Sequence, residues 1–273
     1  MIDVKTFFDK QLAVWPKARG NFDALSGVKT KTVGETRVQF NPARIASTGA
    51  KVDAASIKKR ACFLCEANRP AEQIGIDWGE YTVLVNPFPI FPRHLTIPCK
   101  SHVDQRIAGR VGDMCRLAAE LPGYVVFYNG PRCGASAPDH MHFQAGNADF
   151  LLAEVPSQIA CFKLVGSTPE DVEKQFDDLY ASLPAVGDEE PMMNVLCRYE
   201  DGRYVLTVIP RKRHRPSFYG DGEGQMLVSP ASVDLAGVLI TPREKDFNDI
   251  DEQAIEKIYK ELCYSPEELA VAL

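Results

Sequence analysis

A chain of 273 residues can bury a substantial core, whether as one large domain or two small ones. Hydrophobic residues at 45% and charged residues at 25% are ordinary globular values and exclude a disordered or fibrous chain. A formal net charge of −6 at pH 7 argues against a general nucleic-acid binder, so any basic site must be local.

Along the chain, an apolar-rich segment around Phe7, Leu12 and Trp15 leads to a β-like run in which Thr36, Val38 and Phe40 alternate with Arg37 and Gln39, closed by Asn41-Pro42. The pair Cys62 and Cys65 follows. Strands are predicted at Tyr81 to Val85 and, as a neighbour, His94 to Ile97. Ser101 is expected to cap a helix with Val103, Ile107, Val111, Met114, Ala118 and Leu121 on its inner face, stopped by Pro122-Gly123. Further strands are expected at Tyr124 to Tyr128 and Asp139 to Ala145. Thr168-Pro169 opens a helix to about Leu183, and Met193 to Tyr199 with Tyr204 to Ile209 form a hairpin across Glu200-Asp201-Gly202-Arg203. A strand from Ala236 to Thr241 and helices near Asp251 to Leu262 and Pro266 to Leu273 complete the chain.

No run of about eighteen apolar residues is present, and Met1-Ile2-Asp3-Val4-Lys5 lacks a secretory pattern, so the expected address is the cytoplasm, without membrane or nucleic-acid partners. The eight cysteines then read as buried thiols or metal ligands rather than a disulfide framework. Leu95 to His102 echoes Leu206 to His214, with Pro, Lys and His at matching two-residue steps. Either two strand ends coincide, or the chain is a duplicated α+β unit with one active half.

Chemistry concentrates in Gly134-Ala135-Ser136-Ala137-Pro138-Asp139-His140-Met141-His142-Phe143-Gln144. In a strand, His140, His142 and Gln144 share one face while Met141 and Phe143 fill the other. A neutral imidazole near pH 7 can attack the α-phosphorus of a nucleotide, provided an acceptor such as a backbone carbonyl fixes its tautomer. The preceding loop offers Asn129, Gly130, Arg132, Gly134 and Ser136. Its glycines allow backbone amides near phosphate oxygens, although such residues also make plain loops.

The His140-x-His142-x-Gln144 pattern resembles the branch of the histidine-triad superfamily that holds galactose-1-phosphate uridylyltransferase, diadenosine tetraphosphate phosphorylase and GDP-L-galactose phosphorylase. The resemblance is sharp from about Ala61 to Ala145. It implies an α+β fold, with a histidine-triad-like antiparallel sheet and flanking helices. Residues 1–60 would be an N-terminal arm and strand, 61–165 the catalytic half, and 166–273 a degenerate second half. It further implies His142 as nucleophile and Gln144 as the group steadying the phosphoryl oxygens. A nucleoside monophosphate would pass from a nucleotide sugar or dinucleoside polyphosphate to phosphate or a sugar phosphate. A hydrolase and a binding protein without turnover are the alternatives. A neutral amide at position 144 can hold but cannot protonate a leaving group, which favours transfer over hydrolysis.

Cys62 and Cys65 can grip one tetrahedral zinc, or be buried thiols or a redox pair. The resemblance completes a structural zinc site with His102 and His140, and implies Asn86 and Phe88 as base and ribose contacts, Asn86 before Pro87 being equally readable as a plain turn residue. His94 reads as closing a turn. The run Arg211 to Arg215 is either a solvated face or a receptor for a distal phosphate through Arg211 and Arg213. The resemblance leaves a homodimer open.

Overall fold

The computed structural model describes residues 1–50, 52–185 and 189–272; the expected helix end at Leu273 lies outside the described residues. Eleven strands among these residues form two sheets. β1 (Lys29–Val33), β2 (Thr36–Phe40) and β11 (Val238–Thr241) make a small sheet in which β11 runs parallel to β2. The large sheet contains β3 (Gly75–Trp78), β4 (Tyr81–Val85), β5 (His94–Pro98), β6 (Tyr124–Asn129), β7 (His142–Asn147), β8 (Phe162–Gly166), β9 (Met193–Glu200) and β10 (Arg203–Pro210). Its order is β3-β4-β5-β7-β6-β9-β10-β8, with every neighbouring pair antiparallel.

Both faces of the large sheet are covered, which is why β6 is buried at every position. Tyr124, Val126 and Tyr128 pack with Phe143 and Leu206 against Met114 and Leu117 of the helix Val111–Glu120 and Phe176 of the helix Pro169–Ser182. On the other face, Val125 and Phe127 join Phe91, Val38 and Leu239, with Ile258 from the helix Glu252–Leu262. The second face carries the cavity described below. Gly146 lies on it because any side chain there would collide with Phe91, whose Cγ is 2.3 Å from an ideal Cβ position. No helix of the described residues is long and apolar enough to cross a membrane.

Most expected elements form. The hairpin turns on Asp201-Gly202, both with positive φ (51° and 76°), the backbone that a two-residue Asp-Gly turn requires. Two expectations need correction. The helix starts at Val111 rather than after Ser101. Residues 102–107 instead form neither helix nor strand, because distant groups claim their backbone: Val103 O accepts from Met141 N, Gln105 N donates to Pro138 O, and Ile107 N donates to Glu190 Oε2. Likewise the strand expected from Asp139 begins at His142, since His140 N is drawn into a turn onto Ala137 O.

Glu190 is a buried carboxyl whose partners are the Ile107 N–H and the Tyr128 hydroxyl. Burial outweighs both hydrogen bonds and raises its pKa from 4.5 to about 7. An acid raised on folding contributes its full stability below its ordinary pKa and loses it as pH rises through the folded value. Glu190→Gln should therefore match the parent near pH 4.5 and exceed it by up to about 3 kcal/mol above pH 7. Urea denaturation across this range measures the gap, and a gap independent of pH would contradict the assignment.

Candidate active site

One row of side chains crosses the cavity-facing side of the sheet. Leu84 on β4 stands opposite Thr96 on β5, Thr96 opposite Gln144 on β7, and Gln144 opposite Phe127 on β6. All four line a cavity of about 640 Å³, as does His142, two residues before Gln144 and on the same face. Phe143 between them points into the opposite core.

His142 is held at three atoms. Its backbone N–H donates to Gln105 Oε1 (2.8 Å), and its carbonyl accepts from Gln105 Nε2 (3.1 Å). Its Nδ1 lies 2.8 Å from the carbonyl oxygen of His140. A carbonyl can only accept, so Nδ1 carries the proton and Nε2 keeps a lone pair. Burial pulls the His142 pKa down to about 4, so the ring is neutral at pH 7. Gln105 also donates to Asn129 O, and removing its side chain would strand three buried backbone groups. Gln105→Ala should cost about 3 kcal/mol, read as a lowered urea midpoint. A loss under about 0.5 kcal/mol would show that these groups find other partners.

The orientation of Gln144 follows from His94. The buried His94 ring accepts from Ile90 N at Nδ1 (3.2 Å), so its proton sits on Nε2 and donates to Gln144 Oε1 (3.0 Å). Asn86 Nδ2 donates to Thr96 Oγ1 (2.9 Å) and reaches the same Gln144 oxygen at 3.5 Å. With its oxygen occupied, Gln144 has its amide N–H groups to offer to a ligand. Burial, helped by the nearby Arg44, lowers the His94 pKa to about 3, which keeps the ring neutral. The turn-closing reading of His94 is thus incomplete: its Nδ1 closes the turn and its Nε2 steadies Gln144.

Asn86, Phe88, Asn129, Gly134 and Ser136 also line the cavity. Asn129 Oδ1 is committed inward, accepting from Asn194 and from the backbone and hydroxyl of Ser232. Gly130 is not among the lining residues; it passes tight against Met193 O, 2.9 Å from where a Cβ would stand. Arg132, Arg211 and Arg213, expected at phosphates, lie outside the lining as well. Arg132 is exposed and pairs with Glu189, and Arg213 pairs with Glu261. Arg211 is buried and spends its guanidinium on Asn194 and on the carbonyls of Pro230, Arg213, His214 and Leu262. The cations that line the cavity are Lys17, Arg44, Arg60 and Arg215, alongside one carboxylate, Asp234. The sequence gives no sign of them because they are scattered over the chain, although Arg215 ends the basic run Arg211 to Arg215.

His140 does not share the cavity. It turns instead toward Cys62, Cys65 and His102, whose ligand atoms all lie within 4.8 Å of one another. His140 Nδ1 is 3.2 Å from Cys62 Sγ and 3.6 Å from Cys65 Sγ, while His102 Nδ1 is 3.2 Å from Cys65 Sγ. The second nitrogen of each ring has a partner. His140 Nε2 donates to Cys99 O (2.8 Å), and His102 Nε2 lies 3.8 Å from Asp139 Oδ2. As a neutral ring, His140 therefore turns a lone pair toward the sulfurs, as a metal ligand with an outer hydrogen bond does, and His102 brings a second ring nitrogen within reach of them. Two sulfurs and two nitrogens suit a soft, tetrahedral divalent ion. Without a metal, burial raises the Cys62 thiol, but the contact with His140 as imidazolium and the backbone N–H groups of Leu64 and Cys65 more than offset it and bring it to about 6, favouring thiolate.

Residues 7–147 match the family model described as Domain of unknown function (DUF4922). The chain belongs to this family. The match covers the cluster of Cys62, Cys65, His102 and His140 and the strand β7 that carries His142 and Gln144. Beyond the DUF4922 family, the chain is 22% identical to galactose-1-phosphate uridylyltransferase of Lactococcus lactis subsp. cremoris over 240 residues, covering 70% of this chain and 48% of that enzyme. It is 36% identical over 80 residues to diadenosine 5',5'''-P1,P4-tetraphosphate phosphorylase 2 of Saccharomyces cerevisiae, covering 24% of each. The chain thus spans half or less of the length of these curated relatives. In three dimensions it resembles yeast Ap4A phosphorylase Apa2, with a TM-score of 0.59 at 19% identity over 92% of this chain and 97% of the other. The same enzyme bound to Ap4A superimposes with a TM-score of 0.57 at 17% identity. The relatives found, galactose-1-phosphate uridylyltransferase and Ap4A phosphorylase, are among those the sequence motif resembles, and the expected α+β fold, a large antiparallel sheet with flanking helices, is the fold found.

Proposed function

We propose that this DUF4922 chain is a nucleotidyltransferase or phosphorylase that moves a nucleoside monophosphate through a covalent adduct on His142. The observation that carries this reading is the His142 ring, its proton held by the His140 carbonyl and its other nitrogen without a hydrogen bond among the described residues, on the same cavity wall as Gln144. His142 Nε2 would attack the α-phosphorus, forming an N–P bond as the P–O bond to the leaving group breaks. Gln144 would donate to the phosphoryl oxygens throughout. Asn86, Phe88 and the Gly134 to Ser136 loop would seat the nucleotide. The relatives suggest a nucleotide sugar or dinucleoside polyphosphate as donor, and phosphate or a sugar phosphate as acceptor. Gln144 disfavours water as acceptor, since an amide cannot serve as general base.

The Cys62, Cys65, His102 and His140 donor set fits zinc, whose role would be to pin the His140 carbonyl that orients His142. Free thiols at all eight cysteines support a reducing, cytoplasmic setting. The division into an arm (1–60), a catalytic half (61–165) and a degenerate half (166–273) is part of the same reading. Its support is a repeated detail. After Pro98, Cys99 bridges Tyr81 and Lys100 N donates to Glu80 O; after Pro210, Arg211 bridges Cys263 and Lys212 N donates to Leu262 O.

The test is to incubate the protein with nucleotides labelled at the α-phosphate, quench, and map an acid-labile adduct. Label on His142, discharged by phosphate or a sugar phosphate faster than by water, is the expected result. Absence of adduct with ATP, GTP, UTP, their nucleotide sugars and dinucleoside polyphosphates would overturn the covalent mechanism.

A further inference from the structure

Among the lining cations, Arg60 stands apart in how it is held. Its Nη2 donates to Ser136 O (3.1 Å), in the loop that leads to the catalytic strand, and to Asp139 Oδ1 (3.2 Å), three residues before His142. Its guanidinium also lies over the Phe63 ring, 4.9 Å from the centroid. Both hydrogen bonds to described residues leave from Nη2, so Nε and Nη1 are uncommitted among them. Arg215, by contrast, spends Nε on Ser229 and Nη2 on Thr48 and Ala50, tying the cavity walls together. Asp139 is shared: its other oxygen faces His102 of the metal cluster. Arg60 is thus fixed on the cavity wall by the same short segment that carries His142, with part of a planar fork left over for an anion.

We infer that Arg60 binds the phosphate adjacent to the one attacked, stabilising the charge that develops on the leaving oxygen, with Asp139 as its positioning residue. This rests on the covalent reading above. As His142 Nε2 bonds to the α-phosphorus, the P–O bond breaks and the departing phosphate keeps the electron pair; Arg60 donates to that phosphate and takes no proton step. A preorganised donor of this kind contributes on the order of 10²-fold to rate.

Two donors separate this role from a structural one: a nucleoside triphosphate, whose leaving group is pyrophosphate, and the matching nucleoside 5′-phosphorimidazolide, whose leaving group is a neutral imidazole. In Arg60→Met, His142 labelling by the triphosphate relative to the phosphorimidazolide should fall about 100-fold. Arg60→Lys should recover part of it, because a point charge replaces the fork. Equal slowing with both donors, or no slowing with either, would overturn the assignment while leaving the adduct on His142 intact. Failure of the unsubstituted protein to label with either donor would remove the covalent reading, and this inference with it.

Discussion

Replacing His142 by asparagine is expected to reduce nucleotidyl transfer by on the order of 10⁴-fold or more, with no labelled adduct. Among the described residues the side chain makes one hydrogen bond, to the His140 carbonyl, and asparagine can donate the same bond from its amide. Stability should therefore change by no more than about 1 kcal/mol, so the loss is one of chemistry. The backbone bonds to Gln105 do not depend on the side chain and keep the strand in place. What disappears is the lone pair at Nε2, and neither Gln144 nor His94 can replace it. The Gln144 amide is no nucleophile, and the His94 ring is bonded at both nitrogens. Single-turnover assays with an α-labelled donor measure the effect. Undiminished turnover in His142→Asn would move the reaction elsewhere.

Removal of the metal is expected to have the second large effect. Purified protein should hold about one zinc ion per chain by elemental analysis, and Cys65→Ser should lose most of it. The four candidate ligands come from three separate stretches, around Cys62, His102 and His140, so an ion bound there would close the loops between them. Structural zinc contributes on the order of 10 kcal/mol to small domains. In a chain with a core of this extent, a melting temperature lowered by at least about 5 °C is expected. Activity should fall by about 10- to 100-fold even where the protein stays folded, because His140 loses its anchor and its carbonyl orients the His142 ring. Readdition of zinc after chelation should restore both quantities together. Native protein that purifies without metal, and melts as the Cys65→Ser variant does, would contradict the assignment.

These two expectations rest on different kinds of legibility. Local pattern settles the strands Tyr81–Val85 and Tyr124–Asn129, the Asp201-Gly202 turn, and the capped helix after Thr168. In each, the deciding residues lie within a few positions of one another. The motif His140-x-His142-x-Gln144 and the pair Cys62 and Cys65 are legible for the same reason. The alternation rule alone, however, assigns His140 to the wrong face. A local turn onto Ala137 O and two long-range pulls, on Val103 O and the two cysteine sulfurs, bend the chain before the strand begins. The helical spacing after Ser101 is overridden in the same way, by partners on Pro138, Met141 and Glu190.

By itself the sequence determined the chemistry that is carried on adjacent residues: an imidazole and an amide two steps apart on one strand face, and a thiol pair at ligand spacing. Only the tertiary structure decided which groups surround them. Arg60 reaches Ser136 and Asp139 across 76 and 79 residues, His94 reaches Gln144 across 50, and Gln105 reaches His142 across 37. No local spacing encodes such pairs, because they exist only once the sheet brings four strands into register and burial makes each unpaired polar group costly.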